Sequence, residues 1–112
     1  FNPKIICLEF NPWLNKFISL VIPKQKKFNY QSDMFYGASL KAFKNLLNKK
    51  GYKLVAIESS GNNAFFIRQI EFKVEFDELD IEKSFKYDPK FSSSEYNVAH
   101  NNLIKREFIS LE

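Results

Sequence analysis

The residues predict an α/β chain, one helix laid on a sheet, and three observations carry that expectation. Tyr36, Leu40, Phe43 and Leu47 recur at i, i+4, i+7 and i+11, an apolar stripe of helical period, with Lys41, Lys44, Asn48 and Lys49 on the opposite side. Leu54 to Ile57 and Ala64 to Ile67 are apolar runs separated by the turn-forming stretch Ser59 to Asn63, which predicts two strands joined by a short reversal. Ile5 to Phe10 is a third apolar run broken by Glu9 alone, the pattern of a strand covered on both faces in a parallel sheet.

Taken in order, strands are expected near 4–10, 53–58 and 63–68, with a helix near 38–50 between the first and second. Asn11 and Pro12 end the first strand. Trp13 to Phe35 is a long connection with apolar content at Phe17 to Ile22, room enough for a short strand or a lid. The helix ends where Lys49 and Lys50 complement the negative end of its dipole and Gly51 can adopt a left-handed cap. Tyr52 then folds back, and the two later strands are expected in the core. Ile70, Phe72, Val74 and Phe76 alternate with charged residues, which predicts a half-exposed strand. Asp77 to Lys86 fits no pattern, and Tyr87-Asp88-Pro89 reads as a turn. Ser92 and Glu95 have capping-box spacing ahead of a stripe of Tyr96, Ala99, Leu103, Ile104, Phe108 and Leu111, which predicts a closing helix.

Composition bounds the function. One domain is the limit for 112 residues, and 45% hydrophobic residues, thirteen of them Phe, suffice for a core. No apolar run approaches the roughly eighteen residues that span a bilayer, so no membrane partner is expected. With no initiator Met, the chain reads as soluble and truncated. The single Cys7 allows no internal disulfide and suggests a reducing, cytoplasmic setting and a buried structural thiol. Residues 1–68 carry eleven Lys and Arg against three acids, and residues 69–112 carry six against ten. An acidic tail over a basic body is the preferred reading. The other is a nucleic-acid surface of Lys24, Lys26 and Lys27 beside the rings of Phe28 and Tyr30, disfavoured because short basic runs are usually solvated.

The run GASLKAFKNLLNKKGYKLVAIESSGNNAFFIR, together with KIICLEFNP at residues 4–12, resembles the C-terminal half of FkbM-type S-adenosylmethionine-dependent methyltransferases. In that family a strand ending in an acid, a substrate-side loop, a helix with a KGY-like cap and a strand pair with an NAFF-like sequence follow one another. The resemblance covers residues 3 to about 70. It implies a partial Rossmann-type sheet, parallel strands with an antiparallel last strand, over residues 1–70, followed by an acidic extension over residues 71–112. It implies methyl transfer, to oxygen or a similar nucleophile, onto a small-molecule or glycan-like acceptor by the intact protein. The family grips its cofactor through a glycine-rich strand-to-helix turn; here Gly37, Gly51 and Gly61 all fall at helix ends and turns. S-adenosylmethionine is therefore expected in the intact protein and not on this stretch, which alone should be inactive. The alternative is a non-catalytic α/β interaction or structural domain.

Ligands of open α/β sheets bind beyond the carboxyl ends of the parallel strands. That edge collects Glu9, as substrate-orienting carboxylate or general base or else a strand-end acid paired with lysine. It collects Asn11, as a substrate ligand or an Asn-Pro turn residue, and Tyr36 and Gly37 at the start of the helix, where free N–H groups can meet an anion. Asn62 and Asn63 bind a ligand or simply build a turn. His100 reads as a packing residue of the last helix. No metal-ligand cluster or nucleophile triad is visible.

Overall fold

The computed structural model describes residues 2–23, 37–58, 62–85 and 91–106, and the backbone of 109–110. In chain order these form β1 (Ile5–Glu9), β2 (Leu20–Val21), α1 (Leu40–Asn48), β3 (Tyr52–Glu58), β4 (Asn63–Arg68), a 3-10 turn (Gln69–Glu71), α2 (Ile81–Ser84), α3 (Ser93–Ile104) and β5 (Ile109–Ser110). The architecture is mixed α/β.

The main sheet has the order β1-β4-β3, and β4 is antiparallel to both neighbours. It follows that β1 and β3 run in the same direction with β4 between them, and no parallel pair occurs among the described residues. The expected parallel neighbours are thus corrected: a tight reversal after β3 lets β4 pair locally with β3, and the other edge of β4 then receives β1. The register is Ile5 opposite Ile67 through Glu9 opposite Asn63 on one side, and Tyr52 opposite Arg68 through Glu58 opposite Asn63 on the other, with an irregularity between Leu54 and Ala56. Short β2 pairs with β5 in a second, two-stranded sheet, and Val21 bridges Ala38.

Position in the sheet decides burial. Central β4 buries Ala64, Phe66 and Ile67, while β3 buries only Tyr52 and Leu54. The expectation of two core strands holds for β4 and for one end of β3. At the other edge, β1 alternates: Ile6 and Leu8 pack on the core and Ile5, Cys7 and Glu9 are exposed. An edge strand covered on one face cannot bury a continuous apolar run, so neither the doubly covered strand nor the buried Cys7 occurs.

Helix α1 lays Leu40 and Leu47 on the sheet, with Phe43 packed beside them, and buries Ala42 as well. Tyr36, the first residue of the predicted stripe, lies outside the described residues. The helix begins at Leu40 because Ser39 caps it: its Oγ accepts from the Ala42 N–H at 3.2 Å. Gly51, at φ +87°, supplies the left-handed turn after the helix.

The expected strand at 70–76 is not formed. After the 3-10 turn the chain is irregular, with Ile70 80% and Val74 68% exposed. The Gln69 amide takes over what a strand partner would supply, donating to the Val74 carbonyl and accepting from the Phe76 N–H, both at 2.8 Å. Phe72 and Phe76 turn inward and meet edge to face at 5.5 Å. Farther on, the Leu79 N–H donates to the Leu54 carbonyl at 2.8 Å, and Glu78 Oε2 accepts from the Leu54 N–H at 2.9 Å. These bonds close the outer edge of β3 at that point. The unassigned stretch holds α2, capped by Asp80, and Ile81 and Phe85 join the sheet core. The Tyr87-Asp88-Pro89 turn lies outside the described residues.

The closing helix forms over Ser93–Ile104 and is shorter than the expected stripe, which would have run to Leu111: Ile104 is exposed and Ile109–Ser110 is a strand. Ser92 and Glu95 make both bonds of a capping box, and Tyr96 and Leu103 are buried, Leu103 in a second cluster with Leu14 and Ile22. Phe108 and Leu111 fall outside the described residues. Tail acids do meet body lysines: Glu75 pairs with Lys53 at 2.6 Å and Glu78 with Lys44 at 3.3 Å.

Candidate functional site

The carboxyl ends of β1 and β3 share one rim with the start of β4. Glu9 and Glu58 stand opposite Asn63 from either side, so a row Glu9, Asn63, Glu58 crosses the sheet. Asn63 Nδ2 donates to Glu58 Oε2 at 3.2 Å. Next to it the Phe10 N–H donates to the Asn62 carbonyl at 2.9 Å, which locks the start of β4 to the end of β1. Asn62 sits at φ +58°, the left-handed conformation that asparagine tolerates better than most residues, and this favours its turn role.

One residue on, the Asn11 N–H donates to the Ala38 carbonyl at 2.8 Å, which brings the loop before α1 to the same rim. Asn11 is fully buried, and its Oδ1 accepts from the Trp13 N–H at 3.0 Å, an Asx turn that reverses the chain after β1. Its side chain thus holds the turn. Gly37, at φ +63°, is exposed, and its carbonyl accepts from the Ile22 N–H at 2.9 Å. It permits a turn.

Ser39 is the anchor that sequence reasoning missed. Besides capping α1, its Oγ donates to the Ile18 carbonyl at 2.7 Å and receives the Leu20 N–H at 3.1 Å, and its own N–H donates to the Leu20 carbonyl. One buried hydroxyl thereby fastens the loop after β1 to the helix. The available signal was a Ser directly before the apolar stripe.

The structure therefore brings together Glu9, Asn11, Gly37, Asn62 and Asn63, and Tyr36 lies outside the described residues. Glu9 is exposed and makes no salt bridge among the described residues. Its carboxylate is available at the rim. Glu58 is a second acid that closes an apolar run just before a turn, as Glu9 does, and that shared placement was the signal for it. His100 is half-buried, and its Nδ1 accepts from the Asn15 N–H at 3.3 Å, a packing role that ties α3 to the loop after β1. The Lys24 to Tyr30 basic segment lies outside the described residues. Among the described residues no group of His, Cys, Asp and Glu could hold a metal, and no helix is long and apolar enough to cross a membrane.

Compared with protein-family models, curated proteins and solved structures, the chain matches none. The functional reading rests on its own residues.

Proposed function

We propose that this chain is the substrate-side part of an FkbM-like, S-adenosylmethionine-dependent methyltransferase, with the acceptor held at the rim where β1 and β3 end. The observation that supports it is strand polarity. The resemblance implies co-directional strands joined through a helix and followed by an antiparallel last strand; β1 and β3 share a direction, α1 lies between them in the chain, and β4 opposes both. In this reading the sheet is one part of a Rossmann-type sheet.

The residues present do not fit the cofactor itself. Gly37 and Gly51 sit singly at turns, with φ of +63° and +87°, and neither belongs to the glycine-rich strand-to-helix turn that the resemblance implies for the cofactor. The methyl donor is accordingly assigned to another part of the protein, where it supplies the electrophilic methyl group. What this chain contributes is the rim. Asn11 and Ser39 hold the loops, and the exposed Glu9 carboxylate orients or deprotonates an acceptor hydroxyl.

Two measurements test the reading. Calorimetry of this chain with S-adenosylmethionine should show no saturable heat, and micromolar affinity would overturn the division of labour. In an intact protein carrying both parts, Glu9→Gln should lower turnover by roughly a hundredfold while the denaturant midpoint stays in place. Unchanged turnover with a lowered midpoint would make Glu9 structural, and an intact protein with no methyl transfer would leave the non-catalytic interaction domain.

A further inference from the structure

A cavity of about 370 Å³ lies away from the Glu9–Asn63–Glu58 row, between the outer side of α1, the loop after β1 and the segment 78–82. Lys16 and Phe17 line it from the loop, Lys41, Lys44 and Asn45 from the helix. Its electrostatics are uneven in a way that the charge count conceals. Lys44 is neutralised by Glu78, and Glu78 also accepts from the Leu54 N–H and from Asn48 Nδ2 at 2.7 Å. The Asp80 carboxylate is occupied in capping α2, where it accepts from the Glu82 N–H at 3.0 Å.

Lys16 and Lys41 are different. Neither has a carboxylate partner among the described residues, although carboxylates line the same cavity. Each ammonium is instead tethered by a backbone carbonyl, Lys16 to that of Glu82 at 2.6 Å and Lys41 to that of Phe17 at 3.2 Å. An ammonium has three protons to donate, so each lysine is held in place with donors to spare. Both converge on Phe17, a residue 56% exposed, whose ring has the Lys16 ammonium 5.4 Å from its centroid. Two positioned cations and an exposed aromatic residue within one groove are complementary to a flat anion.

We infer that this groove binds a small molecule bearing a phosphate or carboxylate on a flat ring, with the oxyanion against Lys16 and Lys41 and the ring against Phe17. The inference concerns binding alone and stands apart from methyl transfer. Asp80 and Glu82 line the same cavity, and their carboxylates oppose it.

The probes are phenyl phosphate, inorganic phosphate and phenol, titrated at low ionic strength while the amide resonances of Phe17, Lys41 and Asn45 are followed. Phenyl phosphate should shift them saturably and bind more tightly than either of its parts. Lys16→Gln with Lys41→Gln should weaken it by about tenfold or more, the loss of charge-assisted hydrogen bonds. Lys53→Gln should leave it unchanged, because Lys53 is already paired with Glu75 outside the groove. Glu82→Gln should tighten binding by roughly twofold or more through removal of a like charge, a gain that damage to the fold cannot mimic. Absence of saturation, equal affinity in the double lysine variant, equal loss in Lys53→Gln, or no gain in Glu82→Gln would each overturn the inference.

Discussion

The sheet and the tail of this molecule solve the same problem by different means. Within the main sheet, the backbone N–H and C=O groups of β1, β4 and β3 are paired by strand ladders. From Gln69 onward, side chains do that work: Gln69 replaces a strand partner, Asp80 and Ser92 cap helices, and Glu78 receives the Leu54 N–H at the edge of β3. An alternating apolar pattern specifies a strand only where a partner edge is within reach. The comparison shows how a polar side chain of the right length can intercept the backbone first.

The sharpest test of the contrast lies in the middle strand. Phe66 is fully buried in β4, and Phe66→Ala should cost about 3–5 kcal/mol, a large part of a domain's ordinary marginal stability. A midpoint in urea close to that of the unaltered chain would remove β4 from the centre of the core. Ile81→Ala probes whether the tail is a mere appendage: Ile81 belongs to the same core cluster, and its truncation should cost about 2–4 kcal/mol in one cooperative transition. A separate early transition would split tail from sheet.

Smaller effects sharpen the contrast further. Gln69→Ala leaves the Val74 carbonyl and Phe76 N–H without their side-chain partner, and should cost about 1–2 kcal/mol, with faster hydrogen exchange at Phe76 and little change at Phe66. Uniform acceleration across β4 would show that the turn and the sheet are one unit. Ser92→Ala removes the N-cap of α3 and should cost about 1 kcal/mol, read as a loss of helical ellipticity and amide protection confined to residues 93–104.

Local chemistry was legible in the sequence, and spatial arrangement was legible only in outline. The α1 stripe from Leu40 to Leu47, the Gly51 turn and the Ser92–Glu95 box are each specified within a few residues, and all three are found. That the first and second strands share a sheet and a direction could be argued from the helix between them. Which strand occupies the middle could not, because it depends on β1 reaching β4 across the whole intervening chain; the exposure of Ile5 and Cys7 follows from that one fact. At the rim, Glu9, Asn11 and Asn63 were legible as residues at strand ends, whereas their mutual register was not. Lys16 and Lys41 lie on separate elements, and only the fold puts Phe17 between them.

The pairing of β1 with β4 also orders events in time. β3 and β4 adjoin in the chain and can zip as a hairpin, and α1 precedes them closely enough to dock at once. Ile5 must wait for Ile67, so β1 can find its place only after β4 has been made. Substitutions at the β3–β4 contact, such as Leu54→Ala, should therefore slow refolding, while Leu8→Ala in β1 should act chiefly by speeding unfolding. Stopped-flow rates for the two variants give the order directly, and the reverse partition would put β1 in the nucleus. On a ribosome, the same logic leaves β1 waiting, Ile6 and Leu8 uncovered, until the NAFF strand has emerged.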